Sequence, residues 1–255
     1  MKDSKVRYYK EFTDDFEQTR EQDMKLPEDY EYIRRDFFSK LKYKLVYTCA
    51  VIFGIPYCKL FLRVKYVNKK VLKKAKDTGF FIYGNHTQPL GDVFLPALPS
   101  LPKRIYTVVS PANFAIPVIG KLLPYLGALP ISDTATGMKK FTEALSERIE
   151  EGKVVTIYPE AHVWEYFTEI RPFAEASFRY PVKLKKPVFT MTVTYQKSKV
   201  FRRPKSTVYI DGPFYADETL KPRLQSKDLC ERVYECMKER SKASNYSYIK
   251  YKKTD

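Results

Sequence analysis

The sequence predicts an α/β fold: a single domain with a largely parallel, mixed sheet of about seven strands flanked by helices, preceded by an N-terminal membrane-interface helical segment. Three observations point there. Seven short runs are rich in Val, Ile, Tyr, Phe and Thr, as strands are. Amphipathic helical patterns lie between them, and that alternation is the signature of a parallel sheet covered by helices. Near the N-terminus a stretch of fourteen residues, LVYTCAVIFGIPYC, carries no charge.

Residues 1–30 read as a polar, loosely held arm. Residues 30–62 read as one or two helices broken near Gly54–Pro56, because a proline inside a helix removes a donor and crowds the preceding turn. The uncharged run falls short of the ~20 apolar residues of a spanning helix and suits an interfacial or re-entrant segment. Lys40, Lys42 and Lys44 precede it, and Lys59, Arg63 and Lys65 follow it. Basic flanks around an apolar run suit an anionic leaflet; a buried helix capping the core fits the same run. The chain divides into residues 1–62, arm plus interface helices, and residues 63–255, the α/β domain. Strands are expected at 61–67, 80–84, 104–109, 128–131, 154–158, 188–195 and 207–211. Met138, Phe141, Leu145 and Ile149 share one face of a helix. Thr134 or Thr136 suits its N-cap, and Gly152 suits the left-handed position after its end. A second helix aligns Leu229, Val233 and Met237, with Ser226 as the expected N-cap.

The formal net charge is +16, from 46 Lys and Arg against 30 Asp and Glu. Residues 1–36 are net acidic, so the excess lies beyond them. Residues 40–76 hold 11 basic and no acidic residues. Such a field attracts polyanions: anionic lipid, nucleic acid or a phosphorylated carrier such as coenzyme A. The 21 Tyr and 17 Phe fall mostly within strand and helix patterns, and no nucleic-acid-binding motif occurs, so nucleic acid is not expected as a partner. Cys49, Cys58, Cys230 and Cys236 form no C-x-x-C pair, and with two histidines no metal site is expected. Free thiols and a polar N-terminus point to a reducing, intracellular setting.

The two histidines follow predicted strands. FFIYG leads into Asn85–His86, and VVTIY leads into Pro159–Glu160–Ala161–His162. Parallel sheets place ligand sites at such carboxyl ends. Four blocks then occur in order: NHTQPLGD (85–92), GALPI (127–131), YPEA (158–161) and KPVF (186–189). Together they resemble the phospholipid/glycerol acyltransferase superfamily (PlsC-like, 1-acylglycerol-3-phosphate acyltransferase), over roughly residues 60–215.

The resemblance implies a glycerol-3-phosphate acyltransferase-like fold and an O-acyltransferase. The enzyme would move a fatty acyl group from acyl-CoA or acyl-carrier protein to a lysophospholipid or other glycerol-type hydroxyl. The thioester is a co-substrate, and no cofactor is bound. His86 would be the general base and Asp92 its partner, with no covalent acyl-enzyme. Asn85, Thr87, Pro159 and Glu160 would contact substrate, Glu160 placing the acceptor. The setting would be the cytoplasmic face of the cell membrane, peripheral or monotopic, against an anionic surface.

Three departures stand out. Five residues separate His86 from Asp92 where the family has four, and Gly91 is the residue expected to absorb the extra one. Ile131 is followed by Ser132 and Asp133 in place of an arginine. Ala161–His162–Val163 replaces Gly-Thr-Arg. Arg171 is the expected substitute for the acceptor's phosphate, with Arg179, Lys103 and Arg104 as further cations and His162 as a further contact. The alternative reading is a non-catalytic membrane- or lipid-binding relative of the same fold.

Overall fold

A computed structural model describes residues 5–16 and 24–254. The strands are β1 (Lys5–Tyr9), β2 (Lys65–Val67), β3 (Phe80–Gly84), β4 (Ile105–Val109), β5 (Ala128–Pro130), β6 (Val154–Ile157), β7 (Val188–Gln196), β8 (Lys205–Phe214) and β9 (Ile249–Lys253). The α-helices are α1 (Phe37–Pro56), α2 (Gly91–Phe94), α3 (Ala97–Ser100), α4 (Ile119–Leu126), α5 (Ala135–Glu150), α6 (Arg179–Leu184) and α7 (Pro222–Ser241).

The seven expected strands form one sheet in the order β2-β8-β7-β3-β6-β4-β5. Only β7 and β8 pair antiparallel; the other neighbours are parallel. β3 lies centrally and is buried along its whole length, as expected of a strand covered on both faces. Side chains alternate across it. Phe80 and Ile82 join a core beneath Tyr47, Phe94 and Leu98, the side of α1, α2 and α3. Phe81 and Tyr83 join a second core with Phe141, Leu145, Leu229 and Val233, the side of α5 and α7. β3 and β6 run parallel in direct register, Tyr83 opposite Ile157. Their carboxyl ends, which lead to His86 and Glu160, therefore emerge side by side.

Local chemistry sets the helix ends. Thr134 Oγ1 accepts from Gly137 N at 3.1 Å at the start of α5, and Gly152 follows its end at φ +75°. α7 begins four residues earlier than expected, at Pro222, a residue type that suits the first helical position. Ser226 is therefore buried within the helix and does not cap it.

α1 opens with Asp36 Oδ1 accepting from Ser39 N at 2.8 Å. The break expected at Gly54–Pro56 does not occur. Pro56 ends the α-helix, but the chain continues as one π-helical turn, Tyr57–Phe61, which Leu62 N closes on Tyr57 O at 3.0 Å. The combined 25-residue helix, Phe37–Phe61, is long and apolar enough to cross a membrane by length and composition. Its inner face packs on α4 through Tyr43 and Tyr125, with ring centroids 5.1 Å apart. Its outer face leaves Phe38 81%, Ile52 64% and Leu60 76% exposed.

The arm is tied into the domain rather than loosely held over residues 5–16. β1 pairs in parallel with β9, and Trp164 Nε1 donates to Asp14 O at 2.8 Å. Tyr9, Phe12 and Phe16 pack around Trp164, which stacks on Tyr251 at 5.0 Å. Residue 62 is thus no packing boundary. Residues 1–4 and 17–23 of the expected arm lie outside the described residues.

Gly54 is where α1 meets α2. A Cβ there would lie 2.5 Å from Phe94 Cδ1, in a ring already packed against Phe53 and Tyr57. Gly54→Val is expected to lower stability by about 1–3 kcal/mol through overpacking, read as a fall in the denaturant midpoint.

Candidate active site

The site is built by the loops that leave β3 and β6. After Gly84 the chain turns through residues 85–90 into α2, which carries Asp92 in its first turn. His86 Nδ1 lies 2.7 Å from Asp92 Oδ2. Gln88 N donates to the same oxygen at 3.0 Å, and Asp92 N donates back to Gln88 O at 2.9 Å. This reciprocal turn takes up the additional residue of the His–Asp spacing. Gly91 serves it by being small, because a Cβ there would stand 2.9 Å from both Gln88 Cβ and Leu62 Cδ1.

The imidazole stacks on Tyr158 at 4.4 Å with planes 17° apart, and Tyr158 OH donates to Asp92 O at 2.6 Å. One tyrosine thus fixes the ring's face and the helix that carries its carboxylate. Burial pushes the Asp92 carboxyl above its ordinary value, while the hydrogen bond and charge of His86 pull it back down. With the carboxylate ionised, Nδ1 is the protonated nitrogen and Nε2 holds the free lone pair. Nε2 makes no hydrogen bond among the described residues, and the side chain is 20% exposed.

Glu160 joins the second loop to the first. Its Oε2 accepts from His86 N and Arg171 Nη2, each at 3.0 Å, and its Oε1 accepts from Arg171 N at 3.0 Å. Arg171 also donates to His162 O and to Phe12 O, and its guanidinium lies 4.8 Å from the Trp164 ring. Arg171 was expected to face a substrate phosphate. It is 1% exposed instead, and its charge is committed to a buried carboxylate.

The other expected contact residues also point inward. Asn85 exchanges two hydrogen bonds with the Val193 backbone, at 3.0 and 2.8 Å. Thr87 Oγ1 lies 2.7 Å from Tyr195 OH, which also receives Gln88 Nε2 at 3.0 Å. Pro159 is buried, and its carbonyl accepts from Ala174 N at 2.9 Å. Their hydrogen bonds brace the His86 loop from within. His162 is half-buried and reaches back to the arm, with Nδ1 3.5 Å from Asp15 Oδ2. Arg179 lies elsewhere, at the start of α6, donating to Ala176 O.

Sequence reasoning missed Tyr158, Gln88 and Tyr195 as working parts. Tyr158 stood next to Pro159–Glu160 at a strand end. Tyr195 was readable only as one apolar position of β7.

A strand-end imidazole on a buried carboxylate thus stands at the carboxyl edge of a helix-covered, mostly parallel sheet. The chain belongs to the acyltransferase family: the family model described as Acyltransferase matches residues 63–194. Among solved structures, the 1-acyl-sn-glycerophosphate (LPA) acyltransferase PlsC from Thermotoga maritima shares the fold. It has a TM-score of 0.54 and 18% identity, over 84% of this chain and 86% of that one. No curated protein sequence matches the chain.

Replacing Arg171 with Met leaves Glu160 buried without its counter-charge. The expected loss is about 3–5 kcal/mol, the cost of a broken buried pair. Arg171→Met combined with Glu160→Gln should recover part of it. Denaturant titration of the two variants checks both.

Proposed function

We propose that the protein moves a fatty acyl group from an acyl thioester to a hydroxyl of a lysophospholipid or other glycerol-type acceptor. Acyl-CoA and acyl-carrier protein are the candidate donors. One observation carries the reading: His86 Nδ1 sits 2.7 Å from Asp92 Oδ2, which leaves Nε2 as the base. Nε2 takes the acceptor's hydroxyl proton, and the oxygen attacks the thioester carbonyl. A C–O bond forms as the C–S bond breaks. The imidazolium, stabilised by Asp92, then returns the proton to the departing thiolate. The oxygen nucleophile belongs to the acceptor, so the step needs no acyl-enzyme.

The surroundings favour a lipid acceptor. Leu90 is 47% and Val93 37% exposed on either side of Gly91–Asp92, so the rim beside the acid is apolar. α1 packs on α2 at Gly54 and Phe94, and its outer face extends that rim with Ile52, Phe53 and Leu60. Lys40, Lys42 and Lys44 flank the apolar stretch at one end and Lys59 at the other. We place the protein on the cytoplasmic face of the membrane as a peripheral or monotopic enzyme, with α1 seated in an anionic leaflet. An acceptor could then react at the headgroup level while its chain stays in lipid.

Purified protein with acyl-CoA or acyl-carrier protein and a lysolipid should release free thiol. His86→Ala should slow turnover by about 10²–10⁴-fold, the usual contribution of a general base. Asp92→Asn should lower kcat more than it raises KM. Equal activity of His86→Ala and the parent, or no turnover with either donor, would sink the reading.

Membrane seating has its own check. Leu45→Glu together with Ile52→Glu should abolish co-flotation with anionic vesicles. The circular dichroism spectrum should stay unchanged, because both residues are over 60% exposed.

A further inference from the structure

A cavity lies at the β5 edge of the sheet. It encloses about 220 Å³ between the segment before α1, the start of β4 and the end of α5, and shares no lining residue with the His86 site. Its charge is lopsided. Arg34, Arg35, Lys40, Arg104 and Arg148 line it against only Glu147 and Glu151, a surplus of three positive charges.

Not all of that charge is answered internally. Arg35 pairs with Glu147 at 2.8 Å and Arg148 with Glu151 at 3.0 Å. Arg34 donates to Tyr125 OH at 3.3 Å, and its carboxylate contact is a 3.8 Å one with the exposed Glu31. Lys40 and Arg104 have no carboxylate within ion-pair distance among the described residues.

Arg104 is the telling residue. Its guanidinium lies among the rings of Tyr43, Tyr47 and Tyr106, at 5.3, 4.7 and 5.3 Å. It donates once, from Nη2 to Tyr125 O at 2.6 Å. Its Nε is buried with no hydrogen-bond partner, as is that of Arg148. Ring faces and one carbonyl attract a cation without neutralising it. An uncompensated, partly buried charge is costly, and an entering anion removes that cost.

Phosphate fits this setting best. A guanidinium fork can meet two of its oxygens at once. The volume suits a phosphate with a small substituent, because pockets for whole ligands run to ~300–1,000 Å³. Lys40 and Tyr43 of the lining belong to α1, whose Phe38, Leu41 and Leu45 are exposed to the outside. A phosphate in the cavity could therefore belong to a lipid whose chains lie along that helix.

We infer that this cavity binds a phosphate headgroup, held by Arg104 with Lys40 and Arg34 around it, at a site separate from the one that transfers the acyl group. The inference stands on the cavity's own residues and does not require His86 to be a base.

The test uses the full chain. Its thermal midpoint is measured in inorganic phosphate and in sn-glycerol 3-phosphate, against chloride at matched ionic strength. Ligand that binds only the folded state raises the midpoint. The wild type and His86→Ala should show the same rise, and Arg104→Gln should lose it. Should Arg104→Gln fail to fold, the double variant Arg34→Gln/Lys40→Gln should still bind about tenfold more weakly, a change of ~1.4 kcal/mol. A rise that persists in both variants, or one that vanishes in His86→Ala, overturns the inference.

Vesicle flotation separates the two sources of phosphate. If the headgroup is lipid-borne, phosphatidate vesicles should retain less Arg104→Gln than wild type, phosphatidylcholine vesicles should retain both equally, and glycerol 3-phosphate should compete. If flotation ignores Arg104 while the soluble ligand still needs it, the site serves a free phosphate.

Discussion

A single buried carboxylate holds the candidate site together. Glu160 has no access to water, so every lone pair it offers must be met from within the protein. The donors it takes are His86 N, Arg171 N and Arg171 Nη2. Each lies on a loop leaving a strand end, and their shared acceptor fixes the distance between those loops. The imidazole is then oriented by what remains: Asp92 at its edge and Tyr158 on its face. The position of His86 thus depends on Glu160 as well as on the residues its ring touches.

The same economy governs the link to α1. α2 is four residues long, too short to be stable alone. It is held by Tyr158 at the Asp92 carbonyl and by α1 at Phe94. The helix with the apolar outer face is therefore also the helix that braces the Asp92 turn. The exposed apolar face of α1 and the alignment of the His–Asp pair are mechanically adjacent.

The seven-stranded sheet was legible because its strands are apolar runs bounded by turn residues, and burial on both faces leaves that pattern plain. β1 and β9 were not legible. KVRYY and IKYKK hold two and three basic residues in five, unlike the apolar runs of the main sheet, and pairing between segments so far apart in sequence has no local signature. His86 and Asp92 were named because NHTQPLGD resembles a block of the acyltransferase superfamily, and their side chains lie 2.7 Å apart. The placement of Arg171 was not legible. A sequence shows that a residue is charged but not whether it faces water or a carboxylate, so an arginine near the site read as a phosphate ligand. The start of α7 was missed for a related reason: Ser226 is a good cap, and Pro222 is a better first residue. Gly91 was singled out correctly, though space rather than backbone freedom is what it supplies.

The parallel pairing of β1 with β9 bears on the order in which the molecule can be assembled during synthesis. Among the described residues β1 pairs only with β9, so its ladder waits until residues 249–253 have left the ribosome. Phe12 O and Asp14 O, which receive Arg171 Nη1 and Trp164 Nε1, sit just downstream of that strand. The hidden side of the Glu160–Arg171 pair is therefore sealed only after residues 249–253 have been made. Contacts between such distant residues close slowly, and a nascent chain keeps Trp164 uncovered until they do.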